Sequence, residues 1–306
     1  MKALKQTIRC VYYPVLLIGA VYLFFLFKDQ FPGGDKLAVL TAMISIGAIV
    51  IIAVTERLMP YRAEWNTPRG DRVYNFTFTN IVLPILSKIV EIILAFVFLS
   101  KTSGFIHDNI HTLWPKEWPL LAQLVPALLI CEFFFYWTHR FGHTVTALWK
   151  FHSVHHVVER VYWDNAGVFH PVDLFFNWLF YFFPLFLLGV PQELIALFLL
   201  VNAVTGLLEH ANVDFEMGPL NKIFNTAQLH RWHHSVTPEI SAKNFGKVLS
   251  VWDVVFKTWY KPEGEHVGAV GVEGEDIPKD VPGLMAHPFR YLYSKFTSRK
   301  ELETNS

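Results

Sequence analysis

The sequence predicts an all-α integral membrane helical bundle, with about four spans plus a hairpin and a cytoplasmic-side helical cap carrying clustered histidines. Three observations predict it. The 306 residues are 53% hydrophobic and only 17% charged, against about 25% charged in an average soluble chain. The apolar residues fall in long uninterrupted runs rather than in the short amphipathic periods of a soluble core. The histidines, 14 in all, gather after those runs. A formal net charge of zero offers nothing for nucleic acid to recognise.

Residues 10–27 and 37–54 each run 18 positions without a charge. A hydrocarbon core about 30 Å thick needs roughly 20 helical residues, and a helix satisfies its own backbone there, so both read as spans. The first has Pro14 and no clear small-residue cleavage site, and reads as a retained span rather than a signal. The FPGG at 31–34 is a turn between them. A third span over 81–99 carries Lys88 and Glu91, three apart on one face, either paired or turned to the interior. A fourth over 120–137 contains Glu132. Residues 174–188 and 194–208, separated by GVPQE, are each short and read as a re-entrant hairpin or a tilted pair. The chain thus divides into a membrane-spanning region at 1–118, a catalytic region at 119–262 and a cytoplasmic peripheral tail at 263–306. Cys10 and Cys131 both lie in apolar runs and are expected to be buried.

Lys2, Lys5 and Arg9 precede the first run, and Arg57, Arg62, Arg69 and Arg72 follow the second. The positive-inside rule puts both groups in the cytoplasm. If 174–208 dips in and returns, every histidine cluster emerges on that same side.

Ten histidines fall between 139 and 234. HRFGH sets His139 and His143 four apart, which on a helix stacks them on one face. HSVHH gives His152, His155 and His156, and HRWHH gives His230, His233 and His234, each at i, i+3 and i+4. Eight packed imidazolium ions would repel one another, and eight neutral rings in a dry setting would lack hydrogen-bond partners. A metal centre resolves both, because neutral imidazole is a common ligand. Eight ligands exceed the needs of one ion and suit two. Spacing alone leaves iron, zinc and copper open. The isolated His107, His111, His266 and His287 read as ordinary surface or core histidines.

These residues carry a resemblance. EFFFYWTHRFGH, KFHSVHHV, FHPVD, LEHANVDF, QLHRWHHS, KNFG and VWDVVFKTWY, in that order between about Glu132 and Lys261, resemble the fatty acid hydroxylase/sterol desaturase superfamily of membrane di-iron oxygenases. FHPVD leans toward its sterol C5-desaturase-like branch. The resemblance implies an iron pair that uses O2 and external electrons to hydroxylate or desaturate a C–H bond of a fatty acyl, sterol or alkylglycerol-type lipid. It implies catalytic and iron-ligating roles for His139, His143, His152, His155, His156, His230, His233 and His234. It adds His210 and His170 as further ligands, with Asp214 as an alternative to His170. Glu132 shares a helical stripe with Tyr136, His139 and His143, and either orients a ligand ring or pairs with an Arg or Lys of another helix; Asp253 and Asn244 are similar candidates, or else serve a turn and a helix cap. The fourth run and the 174–208 hairpin are the expected channel walls. No flavin, nicotinamide or ferredoxin motif appears, so electrons are expected from a separate ferredoxin, cytochrome b5 or reductase. The basic stretch 57–72 is either a donor dock or simply the topology signal. The rival classes are a histidine-rich membrane metal transporter and a zinc-dependent membrane hydrolase. Transport would place the ligands near the bilayer midplane, and hydrolysis would leave O2 out of the product.

Overall fold

A computed structural model describes the chain over residues 2–99 and 113–304; His107 and His111 lie outside the described residues. Six helices are long and apolar enough to cross a membrane, and among the described residues there is no strand, only three isolated bridges. Helix α1 spans Lys2–Phe27 and α2 spans Gly34–Leu58. Between them the Pro–Gly–Gly turn places Gly33 at φ 91°, in the left-handed region that favours glycine. Helix α3, Arg72–Thr77, passes through a π turn at Phe78–Val82 into α4, Leu83–Leu99. That turn packs against Gly167, where a Cβ would lie 2.9 Å from the Thr79 backbone.

Helix α5, Leu120–Thr144, starts after Pro119 and stops where Val145 turns extended. The chain folds straight into α6, Thr146–His156. Helix α7, Pro171–Leu188, opens with proline in its first turn and closes on Gly189 in the left-handed conformation. Helix α8, Gln192–His210, returns beside it. At about 1.5 Å per residue each is long enough for a thin or locally narrowed bilayer. They form the expected hairpin. Short helices follow: α9 (Ala227–His233), α10 (Pro238–Ser241) and α11 (Val251–Val255); a long one, α12 (Val281–Thr304), ends the described chain.

Helix α8 is the hub. It packs on α1, α2, α5 and α9, and its Leu194, Leu197, Phe198, Val204 and Leu208 are completely buried. Lipid tails are as apolar as leucine, so close packing rather than escape from water holds such helices together. The outward side chains of α1 and α2, among them Val15, Ile18, Tyr22, Ile46 and Val50, are more than half exposed and apolar, as lipid contact requires.

The helix ends that matter meet at one level. Arg9 near the start of α1 pairs with Asp214 just beyond α8, at 2.9 Å. Glu56 at the end of α2 accepts from the backbone N–H groups of Trp163 and Asn212. Asn75 of α3 donates to the Tyr162 hydroxyl at 2.6 Å. The end of α5, the start of α7 and the end of α8 join them through the histidines described below.

One expectation changes here: Cys131 is buried, but Cys10 is exposed on α1. Of the two readings of Lys88 and Glu91, pairing is the one found, at 2.9 Å on an exposed face. The described part of the 263–306 segment packs on the histidine-bearing α6 through α12. Its Glu275 accepts from the Trp149 indole and the Lys150 ammonium, and its Val267 and Val270 pack with Trp65, Val161 and Trp232.

Candidate metal centre

Nine histidines converge into two groups. The first is His139, His143, His152, His156 and His233; the second is His155, His210, His230 and His234. Within each group one ligand atom per residue lies within 4.8 Å of every other. The helical repeat explains the sorting. Residues four apart differ by about 40° around a helix, while the residue three on from the first falls about 60° to the other side. In α6, therefore, His152 and His156 face the first group and His155 faces the second. In α9 the same spacing is used in reverse: His230 and the capping His234 face the second group, and His233 the first. Helix α5 adds His139 and His143 to the first, and the end of α8 adds His210 to the second.

The inward atoms are the Nε2 nitrogens. His139 and His152 approach at 3.1 Å, His156 and His233 at 3.1 Å, His210 and His230 at 2.9 Å, and His155 and His234 at 3.2 Å. Two nitrogens bound at right angles to one ion through bonds of about 2.1 Å lie about 3 Å apart. The His143 Nε2 is buried without any hydrogen-bond partner. Converging nitrogens, some without partners, fit a metal far better than they fit a packed core. The two groups touch: the rings of His156 and His234 stack at 4.5 Å.

Most outward Nδ1 atoms are fixed by acceptors. His139 donates to the Phe245 carbonyl at 2.7 Å, His233 to the Lys243 carbonyl at 2.8 Å and His155 to the Val168 carbonyl at 3.0 Å. His152 donates to the Asp173 carboxylate at 2.9 Å, and His210 to the Asn165 side-chain oxygen at 2.8 Å. Each acceptor holds the proton on Nδ1 and leaves the Nε2 lone pair facing inward. His156, His230 and His234 have Nδ1 atoms with no such acceptor. Burial, reinforced by neighbouring imidazoles, pushes His233 down to about 3 and holds His155, His156, His230 and His234 well below the usual histidine range. The rings are thus neutral and able to bind a cation.

A loop supplies two of those carbonyls, which explains its sequence. In KNFG, Asn244 sits at φ 56° and bonds Leu229, Tyr260 and, through its oxygen, the Tyr260 N–H. Gly246 leaves no room for a side chain, since a Cβ would lie 2.1 Å from the Leu249 carbonyl oxygen. Asp253 clamps the turn by accepting from the N–H groups of Phe245 and Gly246, each at 2.8 Å. It therefore acts on His139 through the backbone, not by touching its ring. Tyr136 joins the same network through the Thr258 hydroxyl.

The structure does not bring His170 into either group. It caps the start of α7, where its Nδ1 accepts from Val172, and its Nε2 donates to the Met285 carbonyl. Pro171 fixes that capping geometry, which turns the ring toward α12. Asp214 does not replace it, being paired with Arg9. Glu132 orients no ligand. It accepts from the backbone of Lys247, Val248 and Leu249 and from the Tyr181 hydroxyl. Its helical stripe was right, but a distant loop claims the carboxylate. Sequence reasoning missed Asp173 and Asn165 as ring-orienting residues. The signal for Asp173 was its place in FHPVD, three residues past a histidine.

The family profile described as fatty acid hydroxylase matches residues 124–258, a range that contains all nine grouped histidines. The chain is 36% identical to an ornithine lipid hydroxylase of Rhizobium tropici over 81% of this chain and 75% of that protein. It is 32% identical to an alkylglycerol monooxygenase of Danio rerio over 63% of this chain and 42% of that one, and 24% identical to a lathosterol oxidase of Homo sapiens over 60% of each. The chain thus spans less than half the length of the alkylglycerol monooxygenase. No solved structure matches it. The chain belongs to the fatty acid hydroxylase family of lipid-modifying membrane oxidoreductases.

Proposed function

We propose that the chain is a di-iron oxygenase that hydroxylates a polar lipid of the ornithine-lipid type, with its histidine groups at the cytoplasmic boundary of the bilayer. The observation that carries this is the pair of adjoining groups of five and four histidines, eight of them buried, set at one end of a membrane bundle. The substrate class follows from the ornithine lipid hydroxylase, which the chain matches over most of both lengths. The cytoplasmic side is supported by Arg9, which pairs with Asp214 just beyond His210, and by Arg57 and Arg72, which lie beside Trp163 and Asp164 next to the His210-bonded Asn165.

Two iron ions held there would supply the redox chemistry that couples O2 and externally delivered electrons to C–H oxidation. The first set of ligands would be His139, His143, His152, His156 and His233, and the second His155, His210, His230 and His234. The chain's own work is positioning. Asp173, Asn165 and the carbonyls of Val168, Lys243 and Phe245 hold five rings in one tautomer, so little reorganisation is left for the reaction. Phe169 stacks on His155 at 4.0 Å, and Phe245 flanks His139, His143 and His233. These rings keep water from the groups. The electrons would come from a separate protein, a ferredoxin, cytochrome b5 or reductase. Arg62 of the basic stretch is committed to the carbonyls of Val267 and Gly268, which favours the topology reading of that stretch over a donor dock.

The test uses full-length protein in detergent, loaded with ferrous iron and supplied with a chemical reductant, ornithine lipid and 18O2. We expect two irons per chain and one labelled oxygen in the lipid. One iron per chain, or an oxidised lipid without label, overturns the reading. The latter outcome with a new alkene would make it a desaturase.

A further inference from the structure

A cavity of 330 Å³ lies at the histidine-level ends of α2 and α3, lined among others by Glu56, Arg57, Arg72, Phe76, Trp163 and Asp164. It sits at the border between lipid and water. Phe76 is 58% exposed and its neighbour Val73 75% exposed on the outward face of α3, so the cavity opens beside a lipid-facing surface. Its floor is one residue from the metal centre's support: Trp163 and Asp164 directly precede Asn165, which holds His210.

Free charges of both signs line it. Arg160 also reaches the wall, but its guanidinium is spent on Asp71 through two bonds of 2.7 Å and on the Trp65 carbonyl. Arg57 gives one donor to the Asn66 carbonyl and keeps the rest. Arg72 forms no ion pair among the described residues. Against these two arginines stands the Asp164 carboxylate; Glu56 also reaches the wall, but it is buried and its carboxylate accepts from the Trp163 and Asn212 N–H groups. Two cations facing one anion across a small cavity are complementary to a headgroup that carries both signs, its anionic part between the arginines and its ammonium against the carboxylate.

We propose that this cavity holds the zwitterionic headgroup of the lipid substrate, with its anionic group on Arg57 and Arg72 and its ammonium on Asp164. The acyl chains then leave over Phe76 and Val73 into the bilayer. This rests on the oxygenase reading only in calling the lipid a substrate; the binding itself is measured without turnover. A headgroup of this chemistry can come from ornithine lipid or from phosphatidylethanolamine, and the experiment separates them.

Full-length protein in detergent is titrated with radiolabelled ornithine lipid, phosphatidylethanolamine and phosphatidylglycerol, and retained lipid is counted. Ornithine lipid is expected to bind most tightly and phosphatidylglycerol least. Arg72→Gln and Asp164→Asn are each expected to weaken ornithine lipid by about tenfold, the scale of one charge-assisted bond. Arg290→Gln, on α12 away from the cavity, is expected to change nothing. Equal binding of phosphatidylglycerol, or no effect of Asp164→Asn, overturns the zwitterion site. Equal binding of phosphatidylethanolamine overturns the assignment to substrate. Absence of 18O from every lipid, with these binding results intact, would sink the oxygenase reading and leave the site standing.

Discussion

The two histidine groups are built from the same parts and differ in saturation. The first has five rings and one of them is held by a carboxylate, Asp173. The second has four rings, of which two are held, both by neutral oxygens from Val168 and Asn165; the Glu209 carboxylate stands 4.0 Å from the His230 Nδ1, beyond hydrogen-bond reach. A first-row ion held by the second group would have fewer protein nitrogens around it and more room for an outside ligand. A carboxylate raises the basicity of the ring it orients, so the first group is the stronger donor set. The two differ because each HxxHH motif splits two-to-one in opposite directions, and because α5 brings two further rings where α8 brings one.

This contrast can be broken by ligand removal, where the effect is largest. His155→Ala leaves three rings in the second group and is expected to lose one of two irons and roughly a thousandfold or more of turnover. His143→Ala leaves four in the first and is expected to retain more metal. Metal analysis on purified protein compares them, and equal loss from both would remove the distinction. Combining the two should cost little more than His155→Ala alone, since ligands of one centre act as a unit. Next in size is the support of the rings. Asp173→Asn is expected to weaken iron binding by up to about 100-fold and Asn165→Ala by about tenfold, across the range seen when ring-orienting partners are lost. A reversed order in competitive chelator titration would show that charge is not what separates the groups.

A smaller effect tests the loop that serves the first group. Gly246→Ala forces a Cβ against the Leu249 carbonyl and is expected to cost about 1–3 kcal/mol, the usual penalty of overpacking. Thermal unfolding in detergent reads it, and the first group should lose metal before the second. The smallest expected effect is on pH dependence. Burial pushes the Asp253 carboxyl up to about 6 from an ordinary 3.8. Between those values the folded chain binds more protons than the unfolded one, so this group's contribution to stability rises as pH falls from about 7 toward 4. Asp253→Asn should remove that rise. Identical pH profiles for the two proteins would show that Asp253 is not perturbed in the fold.

Much of the site was legible because its residues are local. The boxes announce themselves through spacing, and a stripe of i and i+4 positions on a helix is set by the chain alone. His170 misled because its motif also places a histidine near the site in sequence. The ring's direction was decided by Pro171 and by the carbonyl of Met285, 115 residues away. Glu132 misled for the same reason. Its place on the stripe was correctly read, yet its partners are backbone groups more than 110 residues downstream.

The sequence by itself determined that the chain is a helical membrane bundle and that the histidines gather in three boxes, since hydropathy and helical period act over one element at a time. Only the tertiary structure decided which histidines share a group, which carbonyls and carboxylates hold them, and that α12 packs on α6. Those outcomes depend on elements that meet from far apart in the chain. A ring's orientation is set by its distant acceptor, which no local pattern encodes.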